Sequence, residues 1–400
     1  MSEQQPPEEW QSDGGGQAPN ADAAFERDDS DAAVERSAAL LAASVLAPER
    51  PRAAEVTEDA KLMGIPAPAA PLETESPDER AIAFTQQLGL GWPTRDTRAS
   101  REVEAALWQR FRESHDPDAL LALLTVSLSS ESELQRVAAA AALAGLPGEA
   151  GEAAARILDD GCRASDSLTA RVARAAAGRA DDEVRVSAPA AVSVAGGDTS
   201  IAVHGTWARL TEERWHEPGS PLYAHLTAEA APELYQGDNY FRWASGYDAR
   251  SRAEGTDDLV QWLETHDVGL LDTVFAHSHG GSVALSTAAR GQRIRVLVLM
   301  HTPALPRPEE EWARIRRRIG RTLVMRTRLD LVVLADALRN GSGQRFDQDE
   351  LPHREITLHW RRREGWFDHD FFLEPETWMR FDLANEVRYE RSLAAVPQPG

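Results

Sequence analysis

The chain contains only one cysteine, Cys162, among its 400 residues. A single cysteine excludes an intramolecular disulfide, which suits a reducing compartment. Long apolar runs are also missing, and none reaches the length of a membrane span. The N-terminal sequence MSEQQPPEEW lacks the charged and then apolar pattern of a signal peptide. These absences predict a cytoplasmic protein without a transmembrane segment.

Positive charge is scarce, and the formal net charge is −22. Residues 1–100 hold 19 acidic and 8 basic side chains, a balance of −11, so half of the net charge lies in the first quarter. An acidic chain is a poor match for nucleic acid or anionic lipid, both of which attract basic patches. We predict that residues 1–99 are a largely disordered acidic leader and linker. Within it, residues 32–46 are typical of an alanine-rich helix and residues 48–77 of a proline-rich tether.

Residues 100–180 have apolar positions at three- and four-residue spacing, which predicts helices. Segments 130–143 and 165–177 share a polar cap, then a leucine, then an arginine before an alanine-rich run. This region resembles HEAT-type helical-hairpin repeats, with a plain helical bundle as the alternative. Repeat stacks often present a concave face. The resemblance leaves open that a protein partner docks on this region.

From residue 181 to residue 393, β-rich runs alternate with helical segments, and residues 394–400 form a tail. Repeated β-α-β alternation predicts a mostly parallel sheet with helices on both faces. The fold class is therefore α/β, with the helical region before it. The pattern further predicts an opening hairpin at 184–195, a short strand at 240–243 and one helix at 375–391.

The sequence Ala276-His277-Ser278-His279-Gly280 joins an apolar strand to a helix. A turn this tight strains the backbone and lifts the serine hydroxyl above the sheet edge. It needs small residues two positions before and two after the serine, where strand and helix nearly touch. Ala276 and Gly280 meet that need, so the turn predicts a nucleophilic Ser278. The alternative is a chance serine in a glycine-rich turn.

His204-Gly205-Thr206 ends another predicted strand. Attack on a carbonyl creates an oxyanion that needs two fixed N–H donors. His279, directly after Ser278, can supply one backbone N–H, and Thr206 can supply the other. The alternative is an ordinary strand-to-loop turn.

Asp330 follows a predicted buried strand, and His369 lies in a loop ahead of a helix. An aspartate in that place can reach the imidazole of a catalytic base. Asp336 is a second candidate for the acid, although a helix-cap or surface role suits it better. His369 is set apart from the other histidines by its position in the chain order.

These elements occur in the order oxyanion loop, serine, aspartate, histidine, each at the C-terminal end of a predicted strand. In this, residues 184–393 resemble the α/β-hydrolase superfamily and its lipase- and esterase-like members. The resemblance implies an α/β-hydrolase fold and a catalytic triad of Ser278, Asp330 and His369. It also implies an oxyanion hole of Thr206 and His279, and hydrolysis of a small-molecule carboxylic ester through an acyl-enzyme.

Two rival interpretations remain open. His277, His279, Asp368, His369 and Asp370 could instead bind a metal, although side chains flanking a tight turn point apart. The hydrolase fold could also be non-catalytic or transfer acyl groups, with the helical region docking a protein. An acidic loop at 232–239 is either a substrate entrance or a plain connection. The sequence carries no cofactor motif, and we expect neither cofactor nor metal.

Overall fold

A computed structural model describes residues 19–48, 50, 53–72, 75–90, 97–178, 199–206, 208, 214–357 and 367–395. The hairpin predicted at 184–195 lies outside these described residues.

The described part of residues 19–178 is built from helices. They are α1 (Ala21–Glu26), α2 (Ser30–Val45), α3 (Ala53–Leu62), α4 (Pro77–Gln87), α5 (Thr97–Ser114), α6 (Pro117–Ser127), α7 (Glu133–Leu143), α8 (Glu149–Gly161) and α9 (Ser167–Ala177). Polar caps start several of them. Asp29 accepts a hydrogen bond from the Ala32 N–H at 2.6 Å, and Asp166 accepts one from the Thr169 N–H at 2.7 Å. Such caps satisfy N–H groups that the first helical turn leaves unpaired.

The leader differs from its sequence-based prediction, because α1 to α4 all lie within residues 1–99. Helix α2 is buried on nearly every side, with Leu40 and Leu41 fully enclosed. Residues 1–99 are acidic and proline-rich on average. That average includes the residues on either side of α2, so it does not reveal the apolar helix. The helix expected at 32–46 corresponds to α2, whereas the expected tether at 48–77 contains α3.

Helices α7 and α9 are the two segments that share a sequence pattern. Each is 11 residues long, each begins at a side-chain cap, and the two pack against each other. Small alanine side chains allow this close approach. The packing fits either a repeat or a bundle, so the HEAT-type repeat stays a prediction.

The described residues of the second half form one five-stranded parallel sheet, which confirms the predicted α/β class. Its strands, adjacent in chain order, are β1 (Thr199–Val203), β2 (Leu270–His277), β3 (Arg293–Met300), β4 (Ile319–Arg326) and β5 (Arg354–Thr357). Its helices are α10 (Pro221–Glu229), α11 (Ala249–Thr265), α12 (His279–Ala289), α13 (Glu309–Arg318), α14 (Leu331–Asn340), α15 (Pro375–Arg380) and α16 (Leu383–Leu393).

Both faces of the sheet are buried. Val274 and Leu297 belong to a core with residues of α11 and α12, whereas Phe275 and Val298 belong to a core with residues of α10 and α16. A strand enclosed on both faces is apolar at consecutive positions. This explains the uninterrupted apolar runs of β2 and β3.

After β1, the direction in which the chain adds strands to the sheet changes. Ser200 of β1 pairs with Leu234 on its outer side, and the chain then crosses back to β2. Such a reversal opens a crevice at the carboxyl ends of the two strands, where ligands bind in α/β folds. The strand predicted at 240–243 is wrong: these residues have no strand assignment, and the outer pairing is made at Leu234.

The single helix predicted at 375–391 is divided into α15 and α16. Asp382 lies between them with φ at 51°, in the left-handed region that aspartate tolerates better than most residues. The break allows Trp378 of α15 and Val387 of α16 to bury in the same core.

The helical region shares a core with α14, the helix that follows β4. Leu331 and Leu334 of α14 lie in the same apolar cluster as Leu40 and Leu120, and α14 packs against α2, α7 and α9. The boundary predicted near residue 180 therefore does not separate two independent cores. Because α14 begins directly after Asp330, the helices support the sheet edge that carries the candidate site residues.

A buried ion cluster also joins the two halves, and it gives a stability prediction. Asp59 of α3 is 1% exposed and accepts hydrogen bonds from Arg326 at 3.0 Å and Arg328 at 2.7 Å. We expect Asp59→Asn to lower the free energy of unfolding by about 3 kcal/mol, because it removes a buried negative charge that two largely buried guanidinium groups share. Urea unfolding measures this loss.

The matched control is Glu58→Gln on the same helix. Glu58 contacts Arg345 at 2.9 Å, but its side chain is 69% exposed. Exposed pairs contribute only about 0–1 kcal/mol. Equal losses in the two variants would contradict the role assigned to Asp59.

Candidate active site

Ser278 occupies a strained turn between β2 and α12. Its φ is 52° and its ψ is −136°, values that a non-glycine residue rarely adopts. Such a conformation costs about 1–3 kcal/mol and persists only where its surroundings hold it. Here the Ser278 N–H donates to the Met300 carbonyl at 2.9 Å, anchoring the turn to β3. Backbone strain at a buried serine marks this turn as a candidate site.

The serine turn lies directly against the loop after β1. A Cβ atom on Gly280 would come within 2.4 Å of the His204 carbonyl oxygen, and one on Gly205 within 2.6 Å of Ser278 Cβ. Only glycine fits at either position without displacing backbone or the serine. Ala276, at the other position that needs a small residue, is fully buried. The structure thus brings the two predicted loops into contact.

Thr206 and His279 lie on the two sides of this contact. His279 is the first residue of α12, where helical N–H groups lack intrahelical acceptors and carry partial positive charge. The loop of Thr206 is held by Trp243, whose indole N–H donates to the His204 carbonyl at 2.8 Å. Both residues are almost fully buried. The two residues predicted to form the oxyanion hole therefore lie on the two loops that meet at Ser278.

Asp330 and His369 form a buried pair. Asp330 Oδ2 lies 2.6 Å from His369 Nδ1, while Oδ1 accepts from the N–H groups of Val332 and Val333 at 2.9 and 3.1 Å. Burial raises the pKa of Asp330, but its contact with His369 outweighs burial and leaves the pKa lowered. The ionised carboxylate therefore holds a proton on Nδ1 and leaves Nε2 as the basic nitrogen.

His369 lies beside the serine turn. The ring of His277, which precedes Ser278, is 4.7 Å from the ring of His369 between centroids. Within the described chain, no hydrogen bond joins Ser278 Oγ to the imidazole. The structure thus joins Asp330 to His369 and places the ring of His369 against that of His277, the residue before the serine, without a serine–histidine hydrogen bond. Such bonds are often long before substrate binds.

Two further histidines surround His369: His277, which the sequence suggested only as a possible metal ligand, and His301, which it did not single out. His277 Nε2 lies 2.9 Å and His301 Nδ1 lies 2.8 Å from the His369 carbonyl oxygen. Burial lowers the pKa of His277 well below its ordinary value and that of His301 to about 4. Both rings are therefore neutral near pH 7. His301 directly follows β3. Its position at the carboxyl end of that strand, like that of Ser278 after β2, was the sequence signal that could have assigned it to the site.

Nitrogens of His277, His301 and His369 lie within 4.8 Å of one another, close enough to consider a metal. Most of them are already engaged. His301 contacts the His369 carbonyl and accepts from the Thr327 N–H at 3.1 Å, and His369 Nδ1 faces Asp330. Too few lone pairs remain for three ligands in this arrangement. The donor set does not fit a metal.

Asp336 differs from its predicted surface or cap role, because it is 2% exposed. Its Oδ1 accepts from the Tyr247 hydroxyl and from Asn340 Nδ2, the latter at 2.8 Å, and lies 3.7 Å from His279 Nε2. Burial raises the pKa of Asp336, but the nearby His279 ring and the hydrogen bond from Tyr247 outweigh it and lower the pKa to about 2. Asp336 therefore lies beside His279, the residue after Ser278, and not beside His369, the predicted base.

A cavity of about 250 Å³ adjoins the His204 loop, and its described lining includes Arg214, His216, Arg242 and Trp243. The acidic loop at 232–239 contributes none of its described lining. Leu234 of that loop instead pairs with the sheet edge. The cavity therefore offers described space for a ligand against the His204 loop.

Comparison with known proteins leaves the chain without a family. No protein-family model, curated protein or solved structure matches it. In the described part of the chain, no helix is both long and apolar enough to span a bilayer. Function must therefore be argued from the site.

The buried histidines predict an acid-sensitive fold. Burial lowers the folded-state pKa of His216, His277 and His301 below the ordinary value of about 6.5. The unfolded chain then binds more protons, so stability present above about pH 6.5 is lost as pH falls toward 4. Burial raises the pKa of Asp368 to about 6, which opposes this trend.

Burial also lowers the pKa of His279 and raises that of Glu104, so four histidines stand against two carboxyl groups and outweigh them. We expect the free energy of unfolding to fall by about 2 kcal/mol or more between about pH 7 and about pH 4.5. Denaturant unfolding at several pH values measures the slope, and His301→Asn should make it shallower. A protein that becomes more stable with falling pH would contradict this account.

Proposed function

We propose that this protein is a serine hydrolase that cleaves a carboxylic ester through an acyl-enzyme on Ser278. The observation that carries the proposal is the strained Ser278 turn beside the buried Asp330–His369 pair. A strained nucleophile and an oriented base at one sheet edge are what acyl transfer requires.

The mechanism follows from the proposed roles. His369 Nε2 takes the proton of the Ser278 hydroxyl as Oγ attacks the ester carbonyl. The backbone N–H groups of His279 and Thr206 stabilise the oxyanion. The alcohol leaves with the proton from His369, and water then releases the acyl group by the same steps. Asp330 keeps the imidazole tautomer and stabilises its charge.

The proposal includes an α/β-hydrolase type of fold. It is supported by the parallel sheet and by the crevice between β1 and β2. It is further supported by the positions of Ser278, Asp330 and His369, each of which follows a strand in that order. A cytoplasmic location is also part of the proposal, supported by Cys162, which is buried and, as the single cysteine of the sequence, cannot form an intramolecular disulfide.

The cavity beside His204 suggests a small substrate. Its volume of about 250 Å³ suits a compact acyl or alcohol group. Trp243 and Ser245 line the cavity together with arginines. We therefore propose a short ester, with one polar or charged substituent, as the substrate class.

Burst kinetics with p-nitrophenyl acetate test the proposal. We expect rapid release of one nitrophenol per protein molecule, followed by slower turnover, because deacylation by water limits the cycle. The burst amplitude measures acylated serine. Hydrolysis no faster than in buffer, with no burst across a series of acyl lengths, would contradict an esterase.

Acyl transfer to an acceptor other than water is a second candidate. Ser278 is 3% exposed and His369 is 4% exposed, so water has little access to the proposed acyl-enzyme. Competition by added alcohols or amines distinguishes the two activities. A product ratio that exceeds the solution ratio of acceptor to water favours transfer.

A non-catalytic protein with a docking helical region is the remaining alternative. The helical region packs on α14 and shares its core. That contact supports a role in holding the sheet edge. A partner could bind only on its other faces, and lack of any burst would favour this alternative.

A further inference from the structure

We propose that His277 and His301 are positioning residues that set the place of the base by hydrogen-bonding the main-chain carbonyl of His369. The inference rests on the proposed function, since it assigns His369 as the base. It concerns residues that touch neither the reacting hydroxyl nor the carboxylate of Asp330.

The two histidines come from the ends of neighbouring strands. His277 is the last residue of β2, and His301 follows β3, whose Met300 is paired with His277. Their nitrogens lie 2.9 and 2.8 Å from the same His369 oxygen. A carbonyl oxygen has two lone pairs, so it can accept both bonds. The sheet edge thereby holds the loop of the base at two points.

The proton positions on His301 follow from its partners. The Thr327 N–H donates to His301 Nε2 at 3.1 Å, so in the neutral ring the proton is on Nδ1. That proton faces the His369 carbonyl. A main-chain donor after β4 thus fixes the tautomer that His301 needs as a donor.

His301 occupies this place at a conformational cost. Its φ is 47°, one of the few positive values at a described non-glycine residue, and its side chain is 3% exposed. A strained backbone at a buried polar residue persists where the surroundings over-determine it. The ring stacks on His369 at 5.5 Å between centroids. An apolar side chain could fill the space that the His301 ring occupies, but it could not make the hydrogen bonds to the His369 carbonyl and to the Thr327 N–H.

The position of the His369 main chain matters because the hydrogen bond of Asp330 to His369 is made to the ring and not to the main chain. The aspartate selects the tautomer, whereas the main chain decides how far Nε2 stands from Ser278 Oγ. A displacement of 1 Å can cost about 100-fold in rate. The two hydrogen bonds to the His369 carbonyl should therefore affect kcat more than KM.

Matched substitutions separate the hydrogen bonds from packing. His301→Asn keeps an amide donor near the Nδ1 position, and His301→Leu removes it at similar size. His277→Gln keeps a donor near the Nε2 position, and His277→Met removes it. Ester turnover, KM and the burst amplitude are measured for each variant, with urea unfolding to confirm the fold.

We expect His301→Leu and His277→Met each to lower kcat about 10-fold, with KM within about twofold of the wild type. His301→Asn and His277→Gln should recover most of kcat. Unchanged kcat in the leucine and methionine variants would overturn the inference. So would equal losses in all four variants, which would mean that packing alone matters.

If His301→Leu does not fold, His301→Gln replaces it, because its amide reaches the Nε2 rather than the Nδ1 position. Lower kcat in His301→Gln than in His301→Asn supports the inference, and equal kcat overturns it. Loss of wild-type turnover in a chelator would overturn it in favour of a metal at these histidines. A wild type with no burst defeats the proposed function first, before any variant is compared.

Discussion

We expect Ser278→Ala to reduce ester turnover by roughly 10⁴-fold or more, to near the rate in buffer. Alanine has no oxygen to acylate, so no covalent intermediate can form. Stability should change by less than about 0.5 kcal/mol, because Ser278 Oγ has no bond to His369 and alanine keeps the same strained φ of 52°. Steady-state turnover and urea unfolding measure the two effects separately.

Ser286→Ala is the matched control on the same helix. Its hydroxyl accepts from Arg307 at 3.0 Å, two turns beyond the catalytic end of α12. We expect its turnover to remain close to that of the wild type. If Ser278→Ala retained wild-type turnover, hydrolysis would have to come from another group or from a contaminant.

Asp330→Asn should reduce turnover by roughly 10³- to 10⁴-fold with little unfolding. An asparagine oxygen can still accept from the N–H groups of Val332 and Val333, so the cap of α14 persists. Its amide can donate to His369 Nδ1, which favours the tautomer with the proton on Nε2. The base then has no lone pair for the serine proton, and the positive charge formed during attack is not compensated.

Asp166→Asn controls for the loss of a cap charge. Asp166 starts α9 by accepting from the Thr169 N–H at 2.7 Å, far along the chain from the sheet edge. We expect a small stability change and unchanged turnover. Equal turnover in Asp330→Asn and the wild type would reduce Asp330 to a helix cap and remove the proposed triad.

Local patterns predicted much of the α/β half. Helix α13, from Glu309 to Arg318, carries its own signal in the sequence, because three glutamates in its first turn and three arginines in its last turn match the helix dipole. Strands β2 and β3 were visible as apolar runs. The Ser278 turn could be predicted because its size constraint depends on neighbours in sequence, Ala276 and Gly280.

Features that depend on distant residues were missed. In the leader, α2 packs against α7 and α14, and α4 packs against α6 and α8, contacts that composition cannot reveal. Asp336 is buried by Tyr247, which lies 89 positions away in sequence. His301 gained its role only when the sheet brought β3 beside β2. These contacts were not predicted because the residues that make them are far apart in sequence, not because the interactions are weak.

The most direct measurement is the mass of the protein and of its peptides after reaction with a fluorophosphonate. The account predicts one added phosphonyl group on the peptide that contains Ser278, and none on the Ser278→Ala variant. Prior unfolding should abolish labelling, since activation of the hydroxyl needs Asp330 and His369 in place. A native protein that stays unlabelled at Ser278, or is labelled at another serine, would contradict the proposed nucleophile.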